Sequence, residues 1–142
     1  MLINAKGQII HIDFGFILTI GPNVAGVIFE NAPFKLTSDY MTLIGGEQSP
    51  FYNYFHILLI EGFIAVRKHL DEICDLLIMM SQESYLPCFE KFSIKHFRDR
   101  MRLNLSEGDI FEWTKQMIHD SLDATRTLWY DDFQKMSNGI AP

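Results

Sequence analysis

The sequence predicts a mainly α-helical fold that begins with one short β-hairpin. Apolar pairs at positions 2–3 and 9–10 are separated by turn-forming residues, the pattern of two short strands joined by a tight turn. From position 38 onward, apolar residues recur at steps of three and four, which is the spacing of one face of a helix. Residues 1–18 are therefore predicted as strand, turn and strand, and residues 38–142 as helices.

Capping and turn residues divide the helical part. Helix starts are predicted at Thr37 or Ser38, Pro50, Asp71, Ser93 and Ser106, with ends at Gly45-Gly46, about His69, Leu86-Pro87 and Asn138-Gly139. The stretch 51–66 is apolar but shorter than the ~20 residues of a membrane span, so it is predicted as a buried helix. Two helix faces are expected to be apolar: Ile73, Leu76, Leu77 and Met80 on one, and Phe111, Ile118, Leu122, Thr125, Trp129, Phe133 and Met136 on the last.

Composition limits the classes of protein that fit. A chain of 142 residues suffices for one domain with a core, and a formal net charge of -6 argues against a nucleic-acid partner. The two cysteines, Cys74 and Cys88, form no disulfide framework and fit a reducing, cytoplasmic compartment. No secretory signal is apparent at the start of the sequence.

The second predicted strand leads into Ile12-Asp13-Phe14-Gly15. A carboxylate at the end of a rigid strand suits magnesium, a hard cation that prefers oxygen ligands. In a kinase, the aspartate of an Asp-Phe-Gly triplet holds the magnesium that bridges the ATP phosphates. Asp13 is therefore the candidate catalytic residue, and the alternative is a surface aspartate in a strand-end turn.

Two longer segments strengthen this interpretation. Residues 7–15 read G-Q-I-I-H-I-D-F-G, which resembles the G-x-I-I-H-I-D-F-G strand of phosphatidylinositol 3- and 4-kinases and their protein-kinase relatives. Residues 33–37 read P-F-K-L-T, which resembles the segment that closes the activation loop in this superfamily. Three further features resemble type III phosphatidylinositol 4-kinases, nearer the beta than the alpha branch: Phe16 after the glycine, L-P-C-F at 86–89, and Y-D-D-F-Q at 130–134 with N-G-I at 138–140.

The resemblance implies the C-terminal, helical lobe of a protein-kinase-like fold. It implies a hairpin over 1–18, an activation loop over 19–37 and a helical core over 38–142. The implied reaction transfers the ATP γ-phosphoryl group to the 4-hydroxyl of phosphatidylinositol, with ATP and Mg2+ as cofactors. The implied site consists of Asp13 as catalytic residue and metal ligand, Ile12, Asp13, Phe14 and Gly15 at the nucleotide, and Phe16, Ile17, Leu18 and Lys35 at the substrate.

Other parts of such a catalytic domain are not found in this sequence. In the superfamily, a D-R-H-x-x-N catalytic loop, a glycine-rich loop and a phosphate-binding lysine precede the Asp-Phe-Gly strand. The chain is therefore expected to be inactive alone and to need an N-lobe as partner. The other partners implied are ATP and phosphatidylinositol in a membrane. The implied location is cytoplasmic and peripheral, on the cytosolic face of Golgi or plasma membranes.

The predicted activation loop is nearly uncharged. Between Phe16 and Phe34 the only charged residue is Glu30, which favours a lipid without extra ring phosphates over a polyphosphorylated one. Lys35 is predicted either to meet the lipid phosphate or to flank the loop. The basic segment 91–102 is predicted as a solvated helix face, with an anionic membrane as the alternative.

Three alternatives remain open at this point. His11 either lies near the phosphates or is a buried histidine bonded to backbone, and the second is the preferred prediction. The function is either that of a lipid kinase or that of a related protein kinase, which carries the same two segments. A non-catalytic helical interaction module is the third reading, and binding of ATP-magnesium would distinguish it from a kinase.

Overall fold

The computed structural model describes residues 2–12, 17–18, 21, 23–24, 27–28, 32–90 and 92–139. Within these residues, two small hairpins precede seven helices. In chain order the elements are β1 (Leu2–Ile3), β2 (Ile9–Ile10), β3 (Asn23–Val24), β4 (Val27–Ile28), α1 (Ser38–Leu43), α2 (Pro50–Lys68), α3 (Leu70–Ser81), α4 (Pro87–Glu90), α5 (Ile94–Arg100), α6 (Glu107–Ser121) and α7 (Thr125–Asn138). The predicted fold class, mainly α with a short β-hairpin, is confirmed.

The first hairpin is held by its turn. β1 and β2 pair antiparallel, and the Asn4 side-chain oxygen accepts hydrogen bonds from the backbone N–H groups of Lys6 and Gln8 at 2.9 and 3.0 Å. Gly7 closes the turn at φ +76°, a conformation that glycine adopts at little cost. A second antiparallel pair, β3 with β4, lies inside the segment that the sequence predicts as an irregular loop.

The helix starts predicted at Pro50, Ser93 and Ser106 are confirmed, and each is capped by a serine. The Ser49 hydroxyl accepts from the Tyr52 backbone N–H at 3.0 Å and precedes Pro50, the first residue of α2. Ser93 caps α5 through the His96 N–H. Ser106 caps α6 in a reciprocal capping box with Asp109.

The predicted last helix is wrong in one respect, because it is divided into α6 and α7. Leu122 forms an isolated parallel bridge with Leu36 instead of continuing the helix, and Asp123 adopts a left-handed φ of +48°. The apolar stripe also divides there. Ile118 is 2% exposed, whereas Trp129 and Met136 are 61% and 83% exposed.

Two other predicted apolar faces are less buried than expected. In α3, Leu70 and Cys74 are buried, but Leu76 and Met80 lie on the exposed side. In α2, His56 is the buried residue, so the prediction of a buried helix is wrong. The reason is that α2 packs on α3 and α6 with one side only, within the described chain.

No helix built from the described residues is long and apolar enough to cross a membrane.

The helices α2 and α6 form the centre of the fold. The rings of Phe63 and Trp113 meet edge to face, with centroids 4.7 Å apart. Arg67, near the end of α2, donates through Nη2 to the carbonyls of Leu103 and Leu105 at 3.2 and 2.8 Å. The turn before α6 is thereby tied to α2. Further along α6, Ile118 packs with buried Leu36 and Met41, which connects the helical centre to the segment before α1.

A buried polar pair joins α2 to α6. The Thr114 hydroxyl donates to the Ile110 carbonyl at 2.8 Å, which leaves its oxygen to accept from His56 Nε2 at 2.9 Å. His56 is 6% exposed and Thr114 is fully buried. Burial lowers the pKa of His56 from its ordinary value, because the charged imidazolium would lose its hydration. Lys115 lowers this pKa further, whereas the Phe111 backbone and Glu112 oppose the shift.

We expect this pair to make the fold acid-sensitive. The pKa of His56 is lower in the folded than in the unfolded chain. The contribution of neutral His56 to the free energy of unfolding is therefore fully present above its unfolded pKa of about 6.5. This contribution decreases as the pH drops towards the folded pKa, by at most about 1.4 kcal/mol per pH unit. Urea unfolding at pH 7.5 and 5 measures this loss. His56→Gln retains an N–H donor for Thr114 without a titrating charge, so its loss is expected to be smaller, and an equal loss would contradict the assignment.

Candidate functional site

The predicted metal-binding segment begins where β2 ends. His11 and Ile12, which follow β2, are both exposed, and Ile12 is 47% exposed. The predicted burial of His11 is therefore wrong. Asp13, Phe14, Gly15 and Phe16 lie outside the described residues. Their predicted roles as magnesium ligand, nucleotide contacts and substrate contact stay predictions.

The residues just before the predicted activation loop contact α5. Ile17 and Leu18 are half-buried, and Leu18 has a left-handed φ of +62°. Arg100, the last residue of α5, donates from Nη1 to the Leu18 carbonyl at 2.8 Å. A second arginine of α5, Arg98, pairs with Asp71 of α3 at 2.6 Å. These two residues make contacts within the chain, while Lys95, Arg100 and Arg102 are exposed, as expected of a solvated helix face.

The end of the predicted loop contacts α7. Lys35 Nζ lies 2.6 and 2.7 Å from the two carboxylate oxygens of Asp131. The Lys35 side chain is 45% exposed and the Asp131 side chain 26% exposed. Lys35, which was predicted either to meet the lipid phosphate or to flank the loop, is therefore paired with a carboxylate of the chain itself. The proposed substrate role of Lys35 stays a prediction.

A cavity of about 490 Å³ lies beside the end of the loop. Phe34 lines it from the loop, and Phe63 and Trp113 line it from α2 and α6. Arg100 and Arg102 also border it, so an apolar surface meets two guanidinium groups there. Asp120 lines the same cavity, so a carboxylate lies among the charged groups there as well.

Sequence reasoning missed three residues that hold the loop: Arg100, Asp123 and Asp131. Asp131 was noticed only as part of the segment 130–134, and no local pattern connects it to Lys35, 96 positions earlier.

Among the described residues, no group of three or more His, Cys, Asp or Glu side chains is arranged to hold a metal ion. The candidate metal site therefore depends on Asp13.

A hairpin leading towards Asp-Phe-Gly, followed by a set of packed helices, defines the chain as the helical lobe of a kinase-like domain. The sequence model of the family described as phosphatidylinositol 3- and 4-kinase matches residues 1–91. The chain belongs to this family. This match contains both segments that carried the resemblance, residues 7–15 and residues 33–37.

Curated relatives extend the similarity over the rest of the chain. The chain is 40% identical over 141 residues to phosphatidylinositol 4-kinase beta of Xenopus tropicalis and of Danio rerio. It is 39% identical to the protein of that name from Callithrix jacchus. Each match covers 99% of this chain and 17% of the relative. The predicted resemblance to the beta branch is confirmed.

Proposed function

We propose that this chain supplies the helical lobe of a phosphatidylinositol 4-kinase active site. The reaction transfers the γ-phosphoryl group of ATP to the 4-hydroxyl of phosphatidylinositol. One observation carries the proposal: 40% identity over 99% of the chain to relatives named phosphatidylinositol 4-kinase beta. The matched region includes residues 7–15, where the candidate catalytic aspartate lies.

Asp13 is the proposed metal ligand and catalytic residue. Its carboxylate is of the type that magnesium prefers, and the residues before it, His11 and Ile12, are exposed after the hairpin. Bound magnesium supplies neutralisation of phosphate charge. The chain's own contribution is the Asp13 carboxylate, while Ile12, Phe14 and Gly15 are the proposed nucleotide contacts.

The charge around the loop supports an inositol lipid without extra ring phosphates. Residues 16–34 contain one charged residue, Glu30, and Lys35 is neutralised by Asp131. Each additional ring phosphate would call for basic side chains in this loop. Phe16, Ile17 and Leu18 are the proposed substrate contacts at its start. A substrate embedded in a bilayer also implies peripheral contact with the cytosolic face of a membrane, and we propose Golgi or plasma membrane.

A chimeric kinase tests the proposal. The matched 141-residue segment of the Xenopus tropicalis relative is replaced by this chain, since the two are 40% identical over that length. We expect the chimeric kinase to convert phosphatidylinositol in vesicles to phosphatidylinositol 4-phosphate, with ADP as the other product. Analysis of the deacylated lipid identifies the position of the new phosphate. The unaltered relative is the control.

Two results would contradict the proposal. One is a folded chimeric kinase that binds ATP-magnesium but phosphorylates no lipid. The other is a product phosphorylated at the 3-position. Phosphorylation of a peptide in place of the lipid would favour the alternative of a related protein kinase.

A further inference from the structure

We propose that Asp123 and Asp131 are positioning residues that fix the end of the activation loop for the lipid substrate. This inference rests on the proposed function. The loop anchor is defined as residues 34–38, which end the predicted loop and begin α1, together with Ser121, Asp123 and Asp131, which hold them. The sequence predicted none of these contacts.

Asp123 holds the anchor on both sides of Thr37. Its backbone N–H donates to the Leu36 carbonyl at 2.9 Å, and its carboxylate oxygen Oδ1 accepts from the Ser38 N–H at 2.8 Å. Ser38 is the first residue of α1, and the Thr37 side chain makes no capping hydrogen bond there. The start of α1 is therefore capped by a residue 85 positions away.

The geometry of Asp123 suits these two contacts. Its φ of +48° is left-handed, which costs free energy for most residues but less for aspartate and asparagine. α6 ends before Asp123, where Leu122 is already extended, and Asp123 presents both its N–H and its carboxylate to the anchor. The break between α6 and α7 therefore determines where the loop ends.

Ser121 and Leu36 complete the buried side of the anchor. The Ser121 hydroxyl accepts a hydrogen bond from the Phe34 N–H at 3.3 Å. Ser121 is 1% exposed. Leu36 is 6% exposed and bridges to Leu122. The backbone of the anchor is thus attached to the end of α6 over three residues.

The Lys35–Asp131 ion pair holds the outer side of the anchor. Both carboxylate oxygens of Asp131 contact Lys35 Nζ, and Asp131 lies in the second turn of α7. At the other end of the loop, Arg100 holds the Leu18 carbonyl. The helical lobe therefore fixes both ends of the segment that is proposed to select the lipid.

This arrangement predicts a specific kinetic effect. The anchor contacts the loop proposed to bind lipid, whereas the nucleotide contacts are proposed for residues 12–15. Loosening the anchor should therefore lower kcat/KM for phosphatidylinositol and leave KM for ATP unchanged. A residue that only stabilises the fold would lower the amount of folded protein without separating the two substrates.

Charge reversal in the chimeric kinase provides the first test. Lys35→Glu and Asp131→Lys are each expected to lower kcat/KM for phosphatidylinositol about tenfold, since contacting charged pairs couple at this scale. Combining them restores an opposite-charge pair and is expected to recover activity to within about threefold of the parent. Asp132→Lys is the matched control, because its side chain is 70% exposed and meets only Lys135, at 3.8 Å, among the contacts described.

Substitutions at Asp123 distinguish the contribution of its carboxylate from that of its backbone conformation. Asp123→Asn keeps an oxygen acceptor for Ser38 and tolerates the left-handed φ, so it should retain most of the activity. Asp123→Gly suits that φ but lacks the acceptor, so it should lose kcat/KM for the lipid. Equal activity of the two variants would show that the carboxylate positions nothing.

Hydrogen exchange on the 142-residue chain tests the anchor without any activity. Lys35→Glu, Asp131→Lys and Asp123→Gly should accelerate amide exchange over residues 17–37 under conditions where α2 and α6 stay protected. If the chimeric kinase with the parent sequence is inactive, the proposed function fails while exchange still decides the anchor. Unchanged exchange over 17–37, or a double charge reversal no better than the single ones, would overturn the inference.

Discussion

Replacing Asp13 by alanine in the chimeric kinase is expected to lower the rate of phosphatidylinositol phosphorylation on the order of a thousandfold. Phosphoryl transfer depends on positioned charges that neutralise the phosphate oxygens, and Asp13 is the proposed carboxylate ligand for the cation that does so. The lipid itself is not a proposed contact of Asp13. KM for phosphatidylinositol should therefore change little, while kcat falls, which a steady-state assay with vesicles measures directly.

Two further variants control this result. Asp13→Asn keeps the size of the side chain but removes its charge, so it should lose nearly as much activity as alanine and should need more Mg2+ for half-maximal rate. Asp75→Ala removes an exposed carboxylate from α3, and its rate should match the parent. An Asp13→Ala kinase that kept a tenth or more of the parent rate would refute the role of Asp13.

The features that could be predicted from the sequence are those that neighbouring residues determine. The Asn4–Gly7 turn, the Ser106 cap and the Pro50 helix start each depend on contacts within four positions. Such contacts depend only on residues that are neighbours in the sequence, and the structure confirms these predictions. The family resemblance was visible for the same reason, since it depends on two short continuous segments.

The division between α6 and α7 could not be predicted in this way. Apolar residues continue through Leu122 at helical spacing, so the pattern favours one helix from Ser106 to Asn138. Where the helix ends, Leu122 bridges to Leu36 and the Asp123 N–H donates to the Leu36 carbonyl, and Leu36 is distant in the chain. A contact between residues 87 positions apart, such as the one from Phe34 to Ser121, leaves no periodic signal in either segment.

In the candidate site too, local features could be predicted from the sequence and distant contacts could not. Asp13 could be proposed because it follows a strand and belongs to a recognisable triplet, and it remains a proposal because it lies outside the described residues. Lys35 was assigned to a lipid phosphate or to the edge of the loop. Its observed partner, Asp131, belongs to the last helix. The sequence showed that a lysine was present at the end of the loop but could not show which carboxylate neutralises it.

Ile110→Ala is expected to destabilise the fold by about 2–5 kcal/mol. Ile110 is fully buried and lies on the same face of α6 as Thr114 and Ile118, which are 0% and 2% exposed. Removing three side-chain carbons there leaves a cavity where α6 packs on α2, and such interiors collapse only partly. Urea unfolding of the 142-residue chain at pH 7.5 measures the change in the free energy of unfolding.

Two variants test whether the loss of stability depends on the burial of the side chain at position 110. Ile110→Val removes one methyl group and should cost about 0.5–1.5 kcal/mol. Met79→Ala truncates a side chain that is 62% exposed on α3 and should cost much less than Ile110→Ala. Equal losses for Ile110→Ala and Met79→Ala would mean that the contact between α2 and α6 is not the stabilising centre. The anchor on α6 would then lack the rigid support that its proposed role requires.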